Sequence, residues 1–119
     1  MPTVISYKDL EVWRQSMRLV EDMYRLTKTL PSEERFGLSA QMRRAAVSIP
    51  SNIAEGYYRS SRKEFRLFIR HAFGSRAELE TQTLIVKNLK LGDRVLIDDV
   101  FAQIQIIMKM LNALVRRLS

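Results

Sequence analysis

Apolar positions recur along most of the chain at alternating spacings of three and four residues, the period of one face of an α-helix. Four such segments can be read. The first covers about residues 7–30. Leu10, Trp13, Met17, Val20, Tyr24 and Thr27 form one seam on it, and Val12, Ser16, Leu19, Met23, Leu26 and Leu30 form a second beside the first. Two adjacent seams make a face broad enough to meet more than one neighbour. Ser6 and Asp9 stand in capping-box positions at its start, and Pro31 closes it.

The second segment, about residues 33–58 with Ser32 as cap, carries a face of smaller residues: Leu38, Met42, Ala45, Ala46, Ile49 and Ile53. Gly37, Ala40, Ala45 and Ala54 would let another backbone come close. Pro50 lies inside the pattern and predicts either a kink near Ala46–Ile49 or a break with a restart at Ser51. The third segment, about 62–91, opens on the capping box Ser61-Arg62-Lys63-Glu64. Its seam reads Phe65, Phe68, Ala72, Ser75, Leu79, Gln82, Val86 and Leu89. Gly74 in mid-helix costs about 1 kcal/mol relative to Ala, which predicts close helix packing there. Gly92 stops this segment, and Asp93 caps the fourth, about 94–118. The fourth seam, Ile97, Val100, Ile104, Ile107, Leu111, Leu114 and Leu118, is unbroken.

Four long helices with short connections predict an all-α fold, an up-down-up-down antiparallel four-helix bundle forming a single domain over residues 1–119. The first, third and fourth helices hold more apolar surface than one inward stripe needs, which predicts a homo-oligomer.

Composition narrows the chemistry. With 46% apolar and 28% charged residues the chain has the make-up of a packed globule rather than a disordered segment. There is no cysteine, so disulfides, thiolate metal sites and a cysteine nucleophile are excluded, and a cytoplasmic location is expected. His71 is the sole histidine, which leaves no set of imidazoles for a metal. Glu78 and Glu80, two apart on a helix, point in different directions and make a poor pair for acid–base or metal work. No cofactor and no metal are expected, nor a signal peptide or membrane span.

The net charge of +7 is unevenly spread. Between residues 59 and 76 stand Arg59, Arg62, Lys63, Arg66, Arg70 and Arg76 against Glu64 alone. At helical spacing most of these form a stripe able to track phosphates, with Tyr57, Tyr58 and Phe73 nearby as stacking surfaces. The expectation is a non-catalytic protein that binds RNA or DNA through phosphates; the bland competitor is a solvated helix face on a purely structural oligomer. A polar stripe on the second helix, Gln41, Arg44, Ser48, Asn52 and Glu55, is read as a structural network with Glu78 and Gln82 of the third. Arg66 and His71 stand in an Arg-x4-His spacing that resembles small helical ribonucleases of the HEPN type, and they define the enzymatic alternative.

Several stretches resemble a known family: Tyr7-Lys8-Asp9-Leu10-Glu11-Val12-Trp13, the run from Gln41 to Gly56, Lys63-Glu64-Phe65, and the run from Gly74 to Gln82. They are similar to bacterial four-helix-bundle proteins encoded in intervening sequences of 23S rRNA genes, a group that includes the accessory variability protein of diversity-generating retroelements. The resemblance implies a basic homopentamer without catalytic activity that binds nucleic acid, with a protein partner such as a reverse transcriptase as a further possibility.

Overall fold

A computed structural model describes residue 7 and residues 10–119. Four helices follow in order: α1 Glu11–Thr27, α2 Leu38–Tyr57, α3 Arg62–Asn88 and α4 Arg94–Leu118, with a short 3₁₀ turn at Ser32–Glu34 between the first two. Each helix packs on the next and α4 closes on α1, and among the described residues the backbones do not approach within 8 Å across either diagonal. The result is an all-α four-helix bundle, 47 Å long and 23 × 20 Å across.

The helix ends show which local signals prevailed. Ser61 accepts the Glu64 N–H at 3.1 Å, and Asp93 accepts the Leu96 N–H at 3.1 Å, as the capping pattern predicts. α1 begins at Glu11, not near residue 7, behind Leu10, which has no capping side chain; the Ser6–Asp9 box lies outside the described residues. α1 also ends at Thr27, three residues before the expected limit. The start of α2 differs from expectation too. Ser32 opens only the 3₁₀ turn, the backbone leaves the helical path at Gly37 (φ −101°, ψ −109°), and α2 proper begins at Leu38. α2 then runs unbroken through the buried Pro50, although Pro50 has no N–H to offer the Ala46 carbonyl, so the restart at Ser51 does not occur.

α3 ends at Asn88, short of Gly92. Lys90 takes a left-handed conformation (φ 58°), its N–H reaching the Lys87 carbonyl while that of Leu91 reaches Val86. This is a Schellman closure with a lysine where glycine is favoured. Gly92 (φ 72°) serves the following turn, where Leu30 and Thr29 leave no room for a side chain.

The core confirms some seams and shifts others. The α4 seam from Ile97 to Leu114 is buried throughout. On α1 the second seam is the core, with Val12, Ser16, Leu19, Met23 and Leu26 buried, while Met17 and Tyr24 of the first are exposed. On α3 Ala72, Leu79, Gln82 and Val86 of the expected seam are buried, joined by Ile69, Arg76 and Thr83 beside it, while Leu89 is exposed. Gly56 brings α2 against α3 so closely that a Cβ there would lie 2.6 Å from Phe68 Cβ. Gly74, where close packing was expected, has nothing within 4 Å of such a Cβ.

Polar side chains fasten all four neighbouring pairs. Arg43 Nε donates to Thr27 Oγ1 (2.8 Å) between α2 and α1, and the Ser48 and Ser75 hydroxyls meet at 2.8 Å between α2 and α3. Gln105 donates to Glu80 (2.9 Å) between α4 and α3, and Gln103 to Asp22 (2.7 Å) between α4 and α1.

Candidate nucleic-acid interface

The antiparallel topology gathers the start of α3, the end of α2 and the end of α4 at one end of the bundle. Arg62 donates to the Arg117 carbonyl, and Arg66 to that of Leu118 at 3.3 Å. Both cations thus sit at the negative end of the α4 dipole and satisfy carbonyls that α4 itself leaves open. The exposed Arg116 and Arg117 are brought to the same end, where the sequence stripe had not included them. Their signal was available: an Arg-Arg pair closing a fourth helix must lie beside the opening of an antiparallel third.

The cations of the predicted stripe are not equivalent. Lys63 and Arg70 are exposed and make no ion pair among the described residues. With Arg66 they bracket Leu67, itself 51% exposed, in an open concavity of about 420 Å³ that Glu64 also lines. Arg59 is exposed, pairs with Glu55 at 2.7 Å and lies over the Phe68 ring at 4.6 Å. Arg76 does not belong to the surface at all. It is 6% exposed, stacks on Phe73 at 4.6 Å and pairs with Glu80 at 2.5 Å, because its position falls on the core row of α3. Of the aromatic candidates only Tyr58 offers an exposed ring; Tyr57 packs edge-on against Phe65, and Phe73 lies under Arg76.

The polar stripe of α2 does not form one network. Asn52 donates to the Ser48 carbonyl (2.8 Å) and hydroxyl (2.9 Å), and Ser48 meets Ser75. Glu55, with its side chain 55% exposed, pairs with Arg59 on the surface. Gln82 donates to Glu78 along α3 at 3.3 Å, and Gln41 and Arg44 are exposed. The stripe faces partly outward, so only its middle reaches α3. Glu55 therefore takes no part in the network with Glu78 and Gln82 that the sequence suggests.

Arg66 and His71 are not brought together. Five residues apart they lie about 140° around the helix axis. Arg66 turns to the α4 terminus, while the exposed His71 ring sits edge-on to Phe68 at 5.6 Å. Among the described residues no cluster of three or more histidines or carboxylates could hold a metal, and no helix is long and apolar enough to cross a membrane.

A search among curated proteins returned no match. The model of one family, described as the 23S rRNA-intervening sequence protein, matches residues 8–113, which takes in all of α1, α2 and α3 and most of α4. The four-helix bundle is the architecture that this match calls for. The chain belongs to the 23S rRNA-intervening sequence protein family.

Proposed function

We propose that this protein is a non-catalytic, homo-oligomeric bundle that binds RNA or DNA through backbone phosphates at the basic end of α3. The observation that carries the reading is the concentration of exposed cations there: Arg59, Arg62, Lys63 and Arg70 on one side and Arg116 and Arg117 on the other, with few carboxylates between. Guanidinium groups bind phosphate bidentately, and a cluster of them gives affinity with little sequence preference. Repetition of that end around a cyclic oligomer, five subunits in the reading the family resemblance suggests, would focus the positive potential further. Apolar residues left exposed on the outer faces of α3 and α4, Leu67, Ile85, Val95 and Ile106, with Leu89 just past the end of α3, support the oligomer.

A salt titration of oligonucleotide binding tests the reading. Arg62 and Arg66 hold α4, so the informative variant is Lys63→Ala/Arg70→Ala, which touches neither. It is expected to bind more weakly and to flatten the slope of log K against log salt by about 1.8 on duplex, or about 1.4 on single strands. Wild-type affinity and slope in this variant would leave the stripe a solvated face. Metal-independent RNA cleavage that His71→Ala abolishes would replace the non-catalytic reading with the nuclease.

A further inference from the structure

At the opposite end of the bundle, the turn from α1 to α2 encloses a second basic concavity of about 280 Å³. Lys28, Arg35 and Arg43 line it together with Thr27, Ser32 and Ser39, and no carboxylate does. The space exceeds that of several waters at about 30 Å³ each, enough for a phosphate group that keeps part of its hydration.

Three features make this a built site rather than a chance gathering of cations. Arg43 is fixed before any ligand arrives: its Nε donates to Thr27 Oγ1 and its guanidinium lies on the Tyr24 ring at 4.5 Å. Its two terminal nitrogens make no hydrogen bond among the described residues, which leaves the bidentate edge free for an anion. Ser39, one turn before Arg43 on the same face of α2, is only 6% exposed. Its hydroxyl has no hydrogen-bond partner among the described residues, and the residue lines the concavity. Finally, α2 starts here behind Gly37, which supplies no capping side chain, so the N–H groups of its first turn remain open to an acceptor. Glu34 stands nearby, with Oε1 3.2 Å from where a Gly37 Cβ would be, but it does not line the space.

We infer that this concavity is a phosphate-binding site, formed by Arg43, Ser39 and the amino end of α2, with Lys28 and Arg35 at its rim. The ligand chemistry is a phosphate monoester or free phosphate. Phe36, 87% exposed beside Arg35, whose guanidinium lies 5.4 Å from its ring, offers a stacking face if the phosphate belongs to a nucleotide end. The inference stands apart from the α3 interface, which lies at the other end of the bundle.

The test is a titration followed by backbone amide NMR, with inorganic phosphate as the first probe and chloride at matched ionic strength as control. The Ser39 and Ala40 amides should shift saturably with phosphate and not with chloride. Lys28→Gln/Arg35→Gln, both exposed positions, should weaken the effect about tenfold or more while leaving the remaining spectrum in place. Lys63→Ala/Arg70→Ala should leave the phosphate titration unchanged, which separates this site from the other interface. A 5′-phosphorylated single-stranded oligonucleotide that saturates the same amides well below inorganic phosphate, when its 5′-hydroxyl twin does not, identifies a nucleic-acid end as the source. Equal response to inorganic phosphate and the phosphorylated strand identifies a small phosphorylated ligand. Amides that do not move, that follow chloride equally, or that respond unchanged in Lys28→Gln/Arg35→Gln overturn the inference.

Discussion

Gly56 and Gly74 lie on adjoining helices and share a residue type, yet their surroundings set opposite outcomes for one added methyl group. At Gly56 that methyl would meet Phe68 Cβ at 2.6 Å and Phe65 Cδ1 at 3.1 Å, so α2 and α3 would have to separate. Overpacking of this kind costs about 1–3 kcal/mol, more than the roughly 1 kcal/mol that alanine gains in helix propensity. Gly56→Ala should therefore lower the melting temperature. Gly74→Ala enters open space and should raise the melting temperature, the propensity gain adding about 0.5–1 kcal/mol of stability. Thermal melts of the two variants beside wild type check both signs, and a stabilised Gly56→Ala would contradict the close approach. The sequence marked Gly74 as the packing glycine because mid-helix position is visible in a pattern. It did not mark Gly56 because which face of α2 meets α3 is set by the assembled bundle. The same limit explains Arg76: its charge and spacing place it in the stripe, while its burial follows from a core face of α3 wider than the single seam through Ala72, Leu79 and Val86.

At the scale of elements, local chemistry was legible wherever a side chain closes its own helix end. Ser61 and Asp93 cap as their positions predict. Ends fixed by backbone conformation were not legible: Gly37 and Lys90 both terminate helical paths without a side-chain signal, and Gly92 drew the end of α3 past its true position. Lys90 is the costlier case, since a residue with a Cβ in the left-handed region gives up about 1–2 kcal/mol. Lys90→Gly keeps the Schellman hydrogen bonds and removes that cost. It should raise stability by about 0.5–1 kcal/mol after the added freedom of the unfolded chain is counted, as denaturant midpoints at unchanged m would show. An unchanged or lower midpoint would mean that the Lys90 side chain stabilises the turn by as much as its backbone costs.

For the whole molecule, the four-helix architecture follows from the seams, while the number of copies does not. The exposed apolar residues of α3 and α4 leave a surface that a second copy can cover, and light scattering at micromolar concentration should report about five times 13.9 kDa. A particle of 13.9 kDa would remove the oligomer from the proposed function. The polar fastenings between neighbouring helices have a further consequence. An up-down bundle of similar helices can wind clockwise or anticlockwise seen from one end, and apolar seams facing a common centre are nearly indifferent to the choice. Neighbours stay the same in both hands, but each helix shows its flanks to the opposite neighbours. In the mirror topology Thr27 would face α4 and Asp22 would face α2, which parts Thr27 from Arg43 and Asp22 from Gln103. Ser75 and Glu80 would likewise exchange neighbours and lose Ser48 and Gln105. At about 1 kcal/mol for each hydrogen bond, four such mismatches bias the chain by several kcal/mol toward a single handedness, so that the chirality of the bundle is written in its polar flanks rather than in its oily centre.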